Sequence, residues 1–166
     1  SALREDGTYD DTIILFVSDH GEMLFDHSLW RKVFPYEGST HIPFLMHVGK
    51  NVAHLLPHKV DGIVELRDVM PTLLDLCDIP IPDTVDGISL KESIYQEKPV
   101  EREYLHGEHS FHSSLSNHYI VTKKDKYIWY SETGREQYFH LANDPNETHD
   151  ALHDVQYQQR IEQLRK

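Results

Sequence analysis

The segment Thr12-Ile-Ile-Leu-Phe-Val17 is a continuous β-branched, aliphatic and aromatic run that breaks off sharply into Ser18-Asp-His-Gly-Glu22. A run that is apolar without alternation predicts a strand buried on both faces. Such strands belong to parallel or mixed sheets covered by helices, so this run points to an α/β layer architecture. In open sheets of that kind, ligand sites form at the carboxyl ends of the strands. Asp19 and His20 would occupy that rim. Successive side chains of a strand point to opposite faces, so the two reach one ion only if the strand ends at about Asp19, a departure that Gly21 permits. A hard carboxylate oxygen beside a neutral imidazole suits a divalent cation. Ca²⁺ takes about six to eight ligands and Mg²⁺ about six, so water, substrate or other polypeptide must complete the set. The same residues also read as a helix cap at Asp19 followed by an ordinary surface histidine.

Further along, the pattern predicts a second strand within His41 to Val48, with Pro43 near its start where a missing donor is tolerated. A brief strand is expected at Val60 to Val64, and Leu66 to Cys77 spaces its apolar residues as one helical face, with Pro71 in the first turn and Cys77 packed in the core. A short helix fits Ser89 to Tyr95. His118 to Thr122, Lys126 to Tyr130 and Gln137 to Leu141 predict a small antiparallel meander, and Asp154 to Lys166 a polar helix with Val155, Ile161 and Leu164 inward. The expected organisation is an α/β part over residues 1–100 and an α+β part over 101–166, the latter a small antiparallel sheet plus a C-terminal helix. The first nine residues read as the end of a helix that starts upstream.

Charge narrows the partners. Lys and Arg total 16 against 28 Asp and Glu, a net charge of −12 that repels nucleic acid and anionic membrane surfaces. The longest clean apolar run, Ile13 to Val17, is far short of the about 20 residues that span a bilayer, so the chain reads as soluble with no membrane partner. A single cysteine excludes an internal disulfide and leaves the compartment open. The 13 histidines form no tract and are expected mostly on the surface.

Ser18-Asp-His-Gly-Glu22 does not stand alone. Val17 to Glu22, Asp26-His-Ser-Leu-Trp30, Lys32, Tyr36-Glu37 and Ile42-Pro43 together resemble the sulfatase family of the alkaline phosphatase superfamily, in order and spacing. Asp68 to Asp75, Ile79 to Pro82, Asp86 to Leu90, Tyr127 to Trp129, Glu136 to Leu141 and Asp144 to Glu147 are similar to later parts of the same family, so nearly the whole chain is covered. The resemblance implies part of an alkaline-phosphatase-like mixed sheet with flanking helices. It implies a sulfuric ester hydrolase in which Asp19 and His20 are metal ligands and Lys32 holds the sulfate group. The metal is expected to be Ca²⁺, with Mg²⁺ or Mn²⁺ as alternatives, and the substrate a sulfated small molecule or glycan. A metal and an ammonium flanking a tetrahedral anion neutralise charge that builds on its oxygens. His109 and His106 are candidates for the substrate entrance, and Tyr36 and Glu37 for orienting Lys32. Trp30 is expected as a buried wedge under the loop that carries Lys32.

The chain also departs from the family. The formylglycine nucleophile forms from the Cys or Ser of C-x-P-x-R or S-x-P-x-R, and neither motif occurs here: Cys77-Asp-Ile-Pro80 puts proline one place late and has no arginine. The expectation is therefore a C-terminal part of a longer enzyme, inactive by itself, whose apolar sheet edge promotes self-association. A phosphonate or phosphate ester hydrolase of the same superfamily is the alternative enzyme, and a non-catalytic binding module that retains the fold is the alternative of another class.

Overall fold

A computed structural model describes residues 2–49, 59–110 and 114–166. In chain order its helices and strands are α1 (Ala2–Glu5), β1 (Ile14–Val17), α2 (Glu37–Thr40), β2 (Phe44–His47), α3 (Val69–Leu76), α4 (Lys91–Gln96), β3 (Leu105–His109), β4 (Asn117–Val121), β5 (Lys126–Tyr130), β6 (Glu136–Phe139) and α5 (Gln158–Leu164). They fall into two compact units: Ser1–Asp19 with Pro43–Arg102, and His20–Ile42 with Glu103–Lys166. Residues 20–42 thus group with the C-terminal segment rather than with their chain neighbours. No described helix is long and apolar enough to cross a membrane.

In the first unit β1 and β2 form an antiparallel ribbon with Phe16 opposite Leu45 and Ile14 opposite His47. This corrects the expectation of a doubly buried strand. Phe16 is 64% and Leu45 58% exposed on one shared face, while Leu15, Val17, Phe44 and Met46 are half-buried on the other. The run is apolar on both faces, and only one of them is covered by described residues. The strand expected at Val60 to Val64 is irregular chain, because Gly62 adopts a φ of +138° that interrupts an extended run. A 3-10 turn, Leu66–Asp68, leads into α3 with Pro71 buried in its first turn. Cys77 is exposed at the helix C-cap, not packed in a core, and Asp78 turns left-handed after it.

The hub of this unit is Asp68, which is fully buried. Its carboxylate accepts two bonds from the Arg102 guanidinium at 2.7 and 2.8 Å, and the backbone N–H groups of Glu65 and Ile88, both at 2.9 Å. Burial works against its charge, but Arg102 and those amides outweigh it and hold the carboxyl below its ordinary range.

The second unit is a four-stranded antiparallel meander in the order β3-β4-β5-β6. The period-2 alternation of β5 and β6 divides two cores. Ile128, Tyr130 and Phe139 pack with Met23 and Tyr36. Tyr127 and Tyr138 pack with Ala151, Ile161 and Leu164. Segment 20–42 therefore covers one face of the sheet and the C-terminal segment the other. Asp125 pins that segment: it accepts the Tyr138 hydroxyl at 2.6 Å and Arg160 Nε at 2.7 Å. Ile161 and Leu164 point inward as their spacing predicts, whereas Val155 is 89% exposed in a 3-10 turn ahead of α5. β3 is the strand that the pattern does not reveal, since His106-Gly-Glu-His109 reads as polar loop. Its pairing with β4 supplies what the side chains do not advertise.

Candidate functional site

β1 ends at Val17, and Asp19 lies in an exposed bend as the last residue of the first unit, peptide-bonded to the half-buried His20 that opens the second. Gly21 allows the turn that follows. Its N–H donates to Ser39 O at 2.8 Å, and a Cβ there would fall 2.1 Å from Gly38 O. Only glycine lets these two backbones approach so closely.

The chain then folds into a tight loop in which Leu24, Phe25, His27, Ser28 and Arg31 all adopt positive φ. Non-glycine residues in that region are strained, and such strain persists only where the surroundings over-determine it. Here Met23 is buried in the core, Met23 N–H donates to Arg31 O at 3.1 Å, and the His27 ring stacks on Tyr36 at 4.3 Å with an interplanar angle of 12°. Trp30, expected as a buried wedge, is instead 60% exposed and leans on Phe25. Met23, with the half-buried Leu29 packed against the same cluster, fills that place.

The loop returns Lys32 to His20, with Lys32 Nζ 2.6 Å from His20 Nε2. His20 Nδ1 lies 2.7 Å from Gly21 O. A carbonyl only accepts and an ammonium only donates, so both bonds together assign the hydrogen to Nδ1 and leave the Nε2 lone pair directed at Lys32. A backbone carbonyl fixing the tautomer in this way is how an imidazole is prepared as a metal ligand.

Behind Lys32, Ser39 Oγ donates to the Lys32 carbonyl at 2.5 Å. Tyr36 donates its hydroxyl to Gln137 Oε1 at 2.7 Å, beside the Tyr130 hydroxyl, whose acidity burial suppresses. Glu37 Oε1 accepts from Lys126 Nζ at 2.6 Å, and Glu37 Oε2 pairs with His41 at 2.8 Å. Lys126 is fully buried and also pairs with Glu147 at 2.8 Å, while Glu147 caps the Glu37 N–H at 2.7 Å. Burial works to raise both carboxyls. At Glu37 the His41 bond and the Lys126 ammonium win and bring it down to about 2, whereas at Glu147 burial wins and pushes it up. Tyr36 and Glu37 thus tie the chain carrying Lys32 to β5 and β6. Sequence reasoning missed Lys126, although a lone cation in an otherwise apolar strand, Lys126-Tyr-Ile-Trp-Tyr130, is the signal that could have found it.

On β3, His109 is half-buried and His106 exposed, and alternation sends the two histidines to opposite faces, His106 to the one that carries Tyr127 and Tyr138. His106 and Glu108 lie beside His118 of β4.

Residues 25–166 match the family described as N-sulphoglucosamine sulphohydrolase, C-terminal. The chain is 51% identical over 166 residues to an arylsulfatase of Clostridium perfringens, covering 99% of this chain and 34% of that protein. It is similar in structure to the phosphonate monoester hydrolase of Silicibacter pomeroyi, with a TM-score of 0.83 and 26% identity over 99% of this chain and 35% of the other. A structure in complex with its substrate D-glucosamine-2-N,6-O-disulfate aligns with a TM-score of 0.79 over 98% of this chain and 34% of the other; at 22% identity this shows the fold. The chain spans about a third of the length of the relatives it matches.

Proposed function

The chain belongs to the sulfatase family, as a C-terminal region, and from that premise we propose that it supplies the anion-holding part of a sulfate ester hydrolase site. The observation that carries this reading is the 2.6 Å approach of Lys32 Nζ to His20 Nε2 across a strained loop. Twelve residues apart in sequence, a cation and a ligand-ready imidazole are held at one spot. Lys32 donates to the oxygens of a bound sulfate group and offsets the charge that gathers on them as the ester bond breaks. The Nε2 lone pair of His20 and the carboxylate of Asp19 fit a divalent cation as two members of an incomplete donor set. When bound, that cation, Ca²⁺ before Mg²⁺ or Mn²⁺, would add Lewis-acid stabilisation of the same oxygens. Ammonium and cation would compete for that one lone pair, so a bound cation would leave Lys32 for the anion. Ser39 holds the Lys32 carbonyl, and Tyr36 and Glu37 anchor the segment that follows it.

The nucleophile lies outside this sequence, which contains neither C-x-P-x-R nor S-x-P-x-R. The chain by itself is therefore inactive. The substrate class that fits is a sulfated sugar or aryl sulfate, met at its entrance by His109, in keeping with the disulfated glucosamine held by one structural relative. A phosphonate monoester is the second reading, supported by the 26% identity and 0.83 TM-score of the Silicibacter pomeroyi enzyme.

The test is a chimera in which this chain replaces the matching third of the Clostridium perfringens arylsulfatase. Aryl sulfate hydrolysis that is retained, and that falls by about 100-fold or more in kcat/KM on Lys32→Ala or Asp19→Ala, supports the reading. A folded chimera whose activity ignores both substitutions contradicts it, and a chimera that prefers phosphonate monoesters shifts the assignment to the second reading.

A further inference from the structure

Toward its β3 edge, the meander face that also carries Tyr127 and Tyr138 holds a cluster that the sulfate-ester reading leaves unused. His106 and Glu108 are two residues apart on β3 and so share a face, and His118 on β4 sits directly opposite Glu108. His118 Nδ1 lies 3.4 Å from His106 Nε2 and 3.6 Å from Glu108 Oε2, and the three atoms fall within 4.8 Å of one another. The two imidazole rings are nearly parallel, 8° apart, with centroids 5.6 Å apart. Trp129, opposite His118 on β5, stacks on its other side at 5.6 Å.

These separations carry information. Ligand atoms about 2.0–2.1 Å from a tetrahedral ion stand about 3.3–3.4 Å apart, whereas octahedral neighbours at that bond length stand about 2.9 Å apart. The His–His edge matches the tetrahedral spacing. The Glu108 edge needs only a small rotation of a largely exposed side chain. A hydrogen on one of the two imidazole nitrogens makes their contact an N–H···N bond, long at 3.4 Å, and a cation can take that hydrogen's place. A cation between them satisfies both, and the carboxylate balances part of its charge. Two nitrogens and one oxygen favour a borderline transition metal over Ca²⁺ or Mg²⁺.

We propose that His106, Glu108 and His118 form a zinc-class site, three protein ligands with the fourth position open to water or a small ligand. It is distinct from the pair formed by His20 and Lys32 and does not rest on the hydrolase reading. His106 acts here as a metal ligand rather than as a substrate contact.

Isothermal titration of the protein with Zn²⁺, against a competing chelator, tests this directly. The expected result is one saturable equivalent that weakens in His118→Ala and in Glu108→Gln by at least the about 10- to 100-fold that losing a ligand's supporting partner costs, and stays unchanged in His20→Ala. Cu²⁺ titration supplies a second readout: Trp129 fluorescence is quenched stoichiometrically, and the quenching is lost in His118→Ala and Trp129→Phe. His106→Ala replaces His118→Ala if the latter does not fold. Binding that is absent, or that ignores all three ligand substitutions, overturns the proposal, as does a tight site that disappears in His20→Ala.

Discussion

The two units solve the folding problem differently. In the second, buried apolar residues line both faces of β5 and β6, and both clusters of buried apolar residues belong to it. In the first, the described buried apolar side chains are few, Leu90 and Val100 with Pro71, and its centre is instead the Asp68–Arg102 ion pair. Its ribbon shows Phe16 and Leu45 to solvent. Apolar burial is the dominant favourable term in folding, so the second unit holds the larger share of intrinsic stability. His20, Lys32, Tyr36 and Glu37 all sit on it. The lesson is that the strained loop carrying Lys32 draws its rigidity from a core built mainly by distant parts of the chain, β5 and β6.

The sharpest way to break this contrast is Lys126→Met. Removing the ammonium leaves Glu37 and Glu147 facing each other in the interior, and loss of one partner of a buried pair costs about 3–5 kcal/mol. Urea unfolding is expected to show that loss, and hydrogen exchange to show lost protection in β4 and β5 while α3 keeps its own. Equal loss in α3 would mean that the units do not open separately.

Ile128→Ala comes next. It empties the centre of one core and costs about 2–5 kcal/mol, while Phe16→Ser on the ribbon stays within about 0.5 kcal/mol. Thermal melts of the two variants side by side check the ordering.

Acid titration gives a smaller effect with a definite sign. Glu37 is held at about 2 in the folded state against an ordinary 4.5, so its contribution is complete above about pH 4.5 and is lost as pH falls from there towards 2. Glu147, shifted upward, acts oppositely: its ionisation in the fold is unfavourable, and that penalty grows as pH rises past the ordinary range. Glu37→Gln is therefore expected to flatten the acid limb of stability between pH 4.5 and 2, read as denaturation midpoint against pH.

The smallest change in stability accompanies a change in association. The exposed Phe16 and Leu45 face is expected to drive self-association, and the double substitution Phe16→Ser with Leu45→Ser to shift sedimentation toward monomer with melting almost unaltered.

Legibility followed chemistry closely. The alternation in Lys126 to Tyr130 and the 3.6-residue spacing from Leu66 to Cys77 are direct imprints of local structure, and the meander and α3 stand where those patterns put them. β3 escaped because a strand with one apolar residue is made by backbone pairing, which leaves little trace in residue type. Val155 misled because apolar character at a helix start does not dictate orientation when a 3-10 turn rotates the first residues away. The run at Thr12 to Val17 reads as doubly buried, yet burial depends on what lies opposite, which no single strand encodes. For the site, residue identity and resemblance drew attention to Asp19, His20 and Lys32. The five positive-φ residues that bring Lys32 back to His20 are ordinary side chains forced by packing, and no propensity announces them.

The central claim is that His20 and Lys32 serve one anion pocket. The most direct measurement is ¹⁵N NMR of the His20 ring and the Lys32 ammonium during a sulfate titration at fixed millimolar Ca²⁺. The expected result is a starting His20 with hydrogen on Nδ1, followed by displacement of Nε2 and Lys32 Nζ with one common midpoint. A starting hydrogen on Nε2, or two resonances that move independently or not at all, would contradict the claim.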